Sequence, residues 1–297
     1  MNHSETAAHS LTDAVNVKTD AVDIRTFIIT TMTEAMCFAG RRTAMADILL
    51  KLENVSKAFG SKGSEFKAVD DVSFDLMKGE NLAVIGESGS GKSTIARLIT
   101  GIHTLSSGKV FFEGKDISEL SKKERKEHYK SVQMVFQNAV SSFNPRRRIG
   151  TSLEEILINL CGEKGSGTRE HAAELLKSVG LKEAYLDKYP HEISGGECQR
   201  AAIARAMSVN PKLLICDEAT SALDVSAQAQ IIELLGELRR AHSMSVLFIS
   251  HDLPLVSGIS DRVIIMDGGK IVEEGVTKDV ITSPKSEQTK KLIEAVL

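Results

Sequence analysis

With 297 residues, 42% of them hydrophobic, the chain can bury the core of one large domain or two modest ones. Its 37 Lys and Arg against 40 Asp and Glu give a formal charge of -3, without the basic excess of a nucleic-acid binder. No apolar stretch approaches the roughly 18 residues that span a bilayer, so the chain is not itself a channel. Its cysteines, Cys37, Cys161, Cys198 and Cys216, are scattered without a CxxC pair and read as reduced thiols of a cytosolic protein.

Residues 1–45 are rich in Thr, Ala and Asp. Phe27 to Gly40 is mildly apolar but interrupted by Glu34, and Asp13, Asp20 and Asp23 precede it in place of a basic cluster. The segment therefore reads as a disordered extension, or as sequence ahead of a natural start at Met45, and not as a secretory signal. Leu49 to Phe59, Ala68 to Leu76 and Lys109 to Glu113 alternate apolar and polar residues and predict a small antiparallel sheet. Asn81 to Ile85 predicts a strand running into a glycine-rich turn, and Lys92 to Thr100 a helix stopped at Gly101. Ser121 to Lys130 is a charge run, read as a solvated helix face.

From 151 to 193 the pattern is helical. Leu153, Ile156, Leu157 and Leu160 share one face, as do Ala172, Leu175, Leu176 and Val179, with Gly180 as the stop. Beyond this insert the chain predicts a helix from Gly196 to Val209, a buried strand from Lys212 to Cys216 and a helix marked by Ile231, Leu234, Leu235 and Leu238. A strand over Val246 to Ser250 follows, then a hairpin of Val263 to Met266 and Lys270 to Glu273 across Asp267-Gly268-Gly269. Strands alternating with helices imply a largely parallel sheet with ligands at the strand C-terminal ends.

Gly86-Glu87-Ser88-Gly89-Ser90-Gly91-Lys92-Ser93-Thr94 carries two glycines around four spacers, then Lys-Ser, between a strand and a helix. The glycines let backbone N–H groups turn inward around a polyphosphate, the helix start adds its positive dipole end, Lys92 reaches the β- and γ-phosphates, and Ser93 can ligate Mg²⁺. Leu213 to Cys216 ends in two acids: Asp217 can hold Mg²⁺ through a water, and Glu218 can orient or deprotonate the attacking water. Ser194-Gly195-Gly196-Glu197 has a natural N-cap and two glycines that free the backbone to approach an anion; taken alone it is an ordinary capped helix start.

The phosphate loop, ISGGECQR at 193–200, LLICDEATSALD at 213–224 and His251 occur in the order that resembles ABC ATPases, over about 48 to 283. The resemblance implies a P-loop NTPase core with a largely parallel sheet, an N-terminal antiparallel β subdomain and an inserted α-helical subdomain. It divides the chain into the extension at 1–45, an ATPase domain at 46–283 with its helical insert at about 138–193, and a short tail at 284–297. It further implies that Gln137 senses Mg²⁺ and the membrane partner, and that Ser194 to Glu197 contact ATP held by the opposite subunit. Asp224 then lies at the dimer interface, His251 acts at the γ-phosphate, and Phe59 stacks on adenine. Two positions depart from the usual signature, Ile193 for Leu and Glu197 for Gln, and no catalytic position is missing.

VFQNAVSSFNPRRRIG at 135–150 and YPHEISGGECQR at 189–200 look like the oligopeptide, dipeptide and nickel importer branch. Asn144-Pro145 breaks the backbone ahead of Arg146, Arg147 and Arg148, which read as an exposed basic knot for a partner. The tail, with Ser283-Pro284 and Thr289-Lys290-Lys291-Leu292, fits the branch but lacks the longer extension of many peptide importers, which keeps a nickel or metal-chelate importer as the alternative. The implied assembly pairs the chain with permease subunits and a second ATPase, identical or paralogous, on the cytoplasmic side of the cell membrane, and indirectly with an extracytoplasmic substrate-binding protein. A DNA-repair ABC protein would need a coiled coil between the phosphate loop and Asp217, a translation factor usually carries two cassettes, and a silent module would not keep Lys92, Glu218 and His251.

Overall fold

The strands at the centre of the molecule carry apolar side chains on both faces, and that fixes how they pair. A computed structural model describes residues 47–60, 64–165 and 167–295; the reading of residues 1–45 falls outside them. Strand β1 (Ile48–Phe59) pairs antiparallel with β2 (Phe66–Met77) and with β4 (Ser107–Phe112), and the two-residue β5 (Lys115–Asp116) completes this sheet in the order β2-β1-β4-β5. The second sheet contains β3 (Asn81–Ile85), β6 (Val132–Val135), β7 (Leu213–Asp217), β8 (Ser245–Ser250), β9 (Arg262–Asp267) and β10 (Lys270–Val276), ordered β10-β9-β3-β8-β7-β6. All its pairings are parallel except that of β9 with β10, joined through Gly268 and Gly269 at φ 52° and 82°.

The period of two in this sheet divides the interior. Ala83 and Ile85 of β3, Leu214 and Cys216 of β7, and Val246 and Phe248 of β8 enter one core, which the helical insert and the later helices cover. Leu82 and Val84, Leu213 and Ile215, and Leu247 and Ile249 enter the other, closed by helix α1 (Lys92–Ile99) and the antiparallel sheet. Burial pushes the Cys198 thiol up to about 11 and the Cys216 thiol up to about 12, so both fill the first core as small apolar groups.

Helix α2 (Lys122–Ser131) is the solvated charge run, started by a reciprocal cap between Ser121 and Glu124. The insert holds α3 (Ile149–Ile156) and α4 (Gly167–Ser178), followed by α5 (Gly195–Met207), α6 (Val225–His242), α7 (Leu253–Ser257), α8 (Thr277–Thr282) and α9 (Glu287–Glu294). Several expectations are corrected. The insert's first helix widens into a π-helical turn at Leu157–Cys161, so Leu157 is buried while Leu160 turns half out and Ile158 is exposed. The stretch before Ser194 is not α-helical but two 3₁₀ turns, Glu183–Asp187 and Pro190–Glu192. The helix expected over Gly196 to Val209 runs from Gly195 to Met207, and the strand expected over Lys109 to Glu113 runs from Ser107 to Phe112 because Glu113 adopts φ 50°. The basic knot is largely neutralised: Arg147 pairs with Glu155 at 2.7 Å and Arg148 with Asp187 at 3.1 Å, which leaves Arg146, among the described residues, without an ion pair.

The end of the described chain is held by one carboxylate. Glu273 of β10 accepts hydrogen bonds from the backbone amides of Lys285 at 3.0 Å and Ser286 at 2.9 Å, beside the fully buried Thr289. Burial alone would raise its pKa, but the bonds from Thr289, Ser286 and Lys285 together hold the carboxyl below its ordinary value of 4.5. A carboxylate depressed in this way contributes stability above its unfolded pKa and loses it as pH falls through the folded value. Glu273→Gln should therefore cost about 1–3 kcal/mol and strip amide-exchange protection from 285–294 at neutral pH, with the difference from the parent protein closing as pH falls below 4.5 through the depressed folded value.

Candidate functional site

Parallel pairing brings Ile85 opposite Ser250 and Asp217 opposite Ile249, so β3, β7 and β8 end at one edge, with β6 beside β7. The loops that leave these strands carry the candidate residues. After β3 the phosphate loop curls against its neighbours with no space for side chains at two glycines. A Cβ on Gly86 would stand 2.2 Å from the Met266 carbonyl oxygen, and one on Gly91, at φ 101°, 2.2 Å from that of Ala68. Gly269 N donates to Ser90 O at 3.2 Å, so the β9–β10 turn braces the loop. Glu87, Ser88 and Gly89 lie exposed on its rim, and Thr94 is half-buried in the first turn of α1.

Lys92 is buried, its ammonium donating to the carbonyls of Gly86 at 2.8 Å and Glu87 at 2.7 Å and to Ser90 Oγ at 3.3 Å. Burial lowers its pKa, and the neighbouring Glu218 and Asp217 oppose that shift. Ser93 Oγ donates to Asp217 Oδ1 at 2.7 Å, across 124 positions of sequence. Burial raises the Asp217 pKa, and the Ser93 hydrogen bond is the largest effect against it. A hydroxyl and a carboxylate side by side are hard oxygen donors, the set Mg²⁺ takes when phosphates and waters complete its shell.

Glu218 follows directly and adopts φ 48°, a left-handed conformation costing an ordinary residue about 1–2 kcal/mol; its amide is pinned to Ile249 O at 2.8 Å. This turns the side chain away from β7. Gln137, just past β6, donates from Nε2 to Glu218 Oε2 at 2.8 Å, and His251, just past β8, places Nδ1 3.5 Å from Glu218 Oε1. One carboxylate is thus flanked by an amide and an imidazole. Gln137 turns toward Glu218, and no hydrogen bond among the described residues joins it to Ser93 or Asp217. Ser221, which the motif reading passed over, accepts from Gln137 at 3.2 Å and donates to the Glu218 carbonyl at 3.0 Å; its offset of three residues from Glu218, within a turn, was the available signal.

The other candidates form separate groups. Ser194 caps α5, its Oγ accepting from Glu197 N at 3.3 Å while Glu197 Oε2 accepts from Ser194 N at 2.8 Å. Tyr185 O–H donates to the other Glu197 oxygen, and these bonds hold the Glu197 carboxyl below its ordinary value. Gly195 and Gly196 face Leu223 and Ala227, and Asp224 caps α6 through Ala227 N at 2.9 Å. Among the described residues no hydrogen bond or ion pair links this group to the phosphate loop. Phe59 ends β1, exposed, beside Lys57 and His103.

A family model described as ABC transporter matches residues 69–221. The oligopeptide transport ATP-binding protein OppF of Haemophilus influenzae is 44% identical over 250 residues, covering 84% of this chain and 75% of that protein. The dipeptide transport ATP-binding protein DppF of the same organism is 40% identical over 247 residues, covering 83% and 76%. A dimeric ATP-binding cassette solved in a post-hydrolysis state, bound to ADP and Pi, superposes with a TM-score of 0.71 at 29% identity, covering 77% of this chain and 99% of that one. The chain belongs to the ABC transporter family of ATP-binding cassettes and is an ATPase. Among the described residues no helix is long and apolar enough to cross a membrane.

Gly91→Ala tests how tightly the loop is built. The added methyl combines left-handed strain with a backbone overlap that no flexible side chain can relieve, together about 2–4 kcal/mol. The midpoint of thermal unfolding should fall by roughly 5–15 °C, and an unchanged midpoint would show that the loop has a second conformation of equal stability.

Proposed function

We propose that this chain is the subunit whose ATP hydrolysis powers peptide uptake by an ABC importer, seated on the cytoplasmic side of the cell membrane against permease subunits. The observation that carries the reading is the convergence of Lys92, the Ser93–Asp217 pair and the flanked Glu218 at one strand edge. The names of the relatives at 44% and 40% identity support a peptide cargo; a nickel or metal-chelate cargo is the alternative. An extracytoplasmic binding protein acts on this chain only through the permease.

The reaction cleaves the bond between the β- and γ-phosphates with water, through a loose transition state in which positioning and charge stabilisation do most of the work. Backbone amides of residues 86–94 cradle the phosphates, and the Lys92 ammonium moves from the loop carbonyls onto the β- and γ-oxygens. Ser93 directly and Asp217 through a water would hold Mg²⁺, with Gln137 at its outer side; the ion would neutralise charge on the phosphate oxygens. Glu218 orients the attacking water and accepts its proton, while His251 donates to the γ-phosphate from the next strand end. Phe59 stacks on the adenine. Glu218→Gln should keep ATP binding and slow hydrolysis by about 10²–10⁴-fold. In cells carrying the variant in place of the parent chain, accumulation of labelled di- and oligopeptides should stop while nickel accumulation continues. Normal hydrolysis would move the base role to His251, and loss of nickel uptake alone would decide for the metal-chelate reading.

The signature group acts on a second subunit. Ser194 Oγ accepts the α5 cap bond and still has its own proton to donate outward, alongside the helix dipole. Ser194 to Glu197 thus complete the phosphate cage of the partner's nucleotide, with Asp224 at the same seam. Ser194→Arg should abolish hydrolysis while each monomer still binds ATP. Mixed with Glu218→Gln protein it should restore part of the activity, because a mixed dimer gathers both lesions in one site and leaves the other intact. No recovery, even with a paralogous subunit added, would mean that the sites are not shared.

A further inference from the structure

The Phe59 ring does not stand free at the end of β1. Lys57 Nζ lies over it, 5.0 Å from its centroid. His103 meets it edge-to-face, with centroids 5.3 Å apart and planes inclined at 74°. Even so, 38% of Phe59 remains exposed. An isolated exposed phenylalanine would sample several rotamers, and freezing one on binding costs affinity; contacts on two sides remove that cost beforehand.

His103 is well placed to provide such a contact. It lies in the segment leaving α1, and its amide donates to Arg97 O at 2.9 Å, so it is tied to the helix whose first residues are Lys92 and Ser93. The same segment is stitched to β1: Ser106 N donates to Ser56 O at 2.9 Å and Ala58 N to Ser106 Oγ at 3.0 Å. His103 therefore bridges the helix that starts at the phosphates and the strand that ends in Phe59. Burial, with Arg97 and Lys57 nearby, lowers its pKa, which keeps a neutral ring against the aromatic face at neutral pH.

We propose that His103 is a positioning residue for nucleotide binding: it fixes Phe59 in the orientation that receives the adenine. The proposal rests on the reading of Phe59 as the adenine contact, and the test separates the two. Binding of Mg-ATP and of inorganic tripolyphosphate, which lacks a base, is measured on the full chain for His103→Ala, His103→Phe and Phe59→Ala, together with kcat at saturating ATP.

From the strength of an aromatic edge contact, His103→Ala should weaken ATP binding about three- to tenfold. Tripolyphosphate binding and kcat should not change, and His103→Phe, which restores an aromatic partner, should bind ATP within about twofold of the parent chain. Equal weakening of ATP and tripolyphosphate in His103→Ala would mean a general structural role and overturn the proposal. So would unchanged ATP binding in His103→Ala while Phe59→Ala binds ATP more weakly. Unchanged ATP binding in Phe59→Ala would remove the adenine reading itself, and the proposal with it.

Discussion

The site depends first on the parallel register of the central strands. Each strand is buried on both faces, so a slip of one residue would exchange the two cores, placing Ala83 and Ile85 where Leu82 and Val84 belong. The cores enforce the register, and the register sets residues 86, 218 and 251 side by side although they are far apart in sequence. Chemistry then comes from loops a few residues long, anchored at both ends by strands or helices. Little conformational freedom remains to be lost when a polyphosphate enters.

Electrostatics within that edge are balanced by pairing. Burial pushes Lys92 and Asp217 toward their neutral forms, and each has a neighbour that opposes the push: the acids for Lys92, the Ser93 hydroxyl for Asp217. Neither charge would be tolerated alone at that depth. The strained backbone of Glu218 belongs to the same scheme. An extended residue there would continue β7 and send its side chain into a core; the left-handed turn, held by Ile249 O, directs the carboxylate toward Gln137 and His251.

Much of this was legible in the sequence, unevenly so. Spacing alone located the phosphate loop and the strand-end acids, since a strand, a glycine turn and a helix leave a strong local pattern. Gln137, His251 and the signature gained meaning only from resemblance, because an isolated Gln, His or capped helix start has no distinctive surroundings in sequence. β6 went unread, since four residues following a charged helix give too short an alternation to count. The π-turn at Leu157–Cys161 was invisible because an apolar repeat at i, i+3, i+4 and i+7 presumes a regular pitch. The arginines at 147 and 148 looked free because their partners, Glu155 and Asp187, lie outside the motif, and Ser221 and His103 matter through contacts that spacing does not encode.

The way the sheets end at their sides has a consequence for solubility. A strand at a sheet margin offers unpaired backbone groups to any other chain, the usual beginning of aggregation. Here β5 and β6 are two and four residues long, too short to template much pairing. β2 carries Lys67, Asp70, Asp71 and Asp75, and β10 carries Lys270, Glu273 and Glu274, with Glu273 already engaged by the amides of Lys285 and Ser286. Charge and brevity thus guard the lateral margins of both sheets, among the described residues, against strand addition.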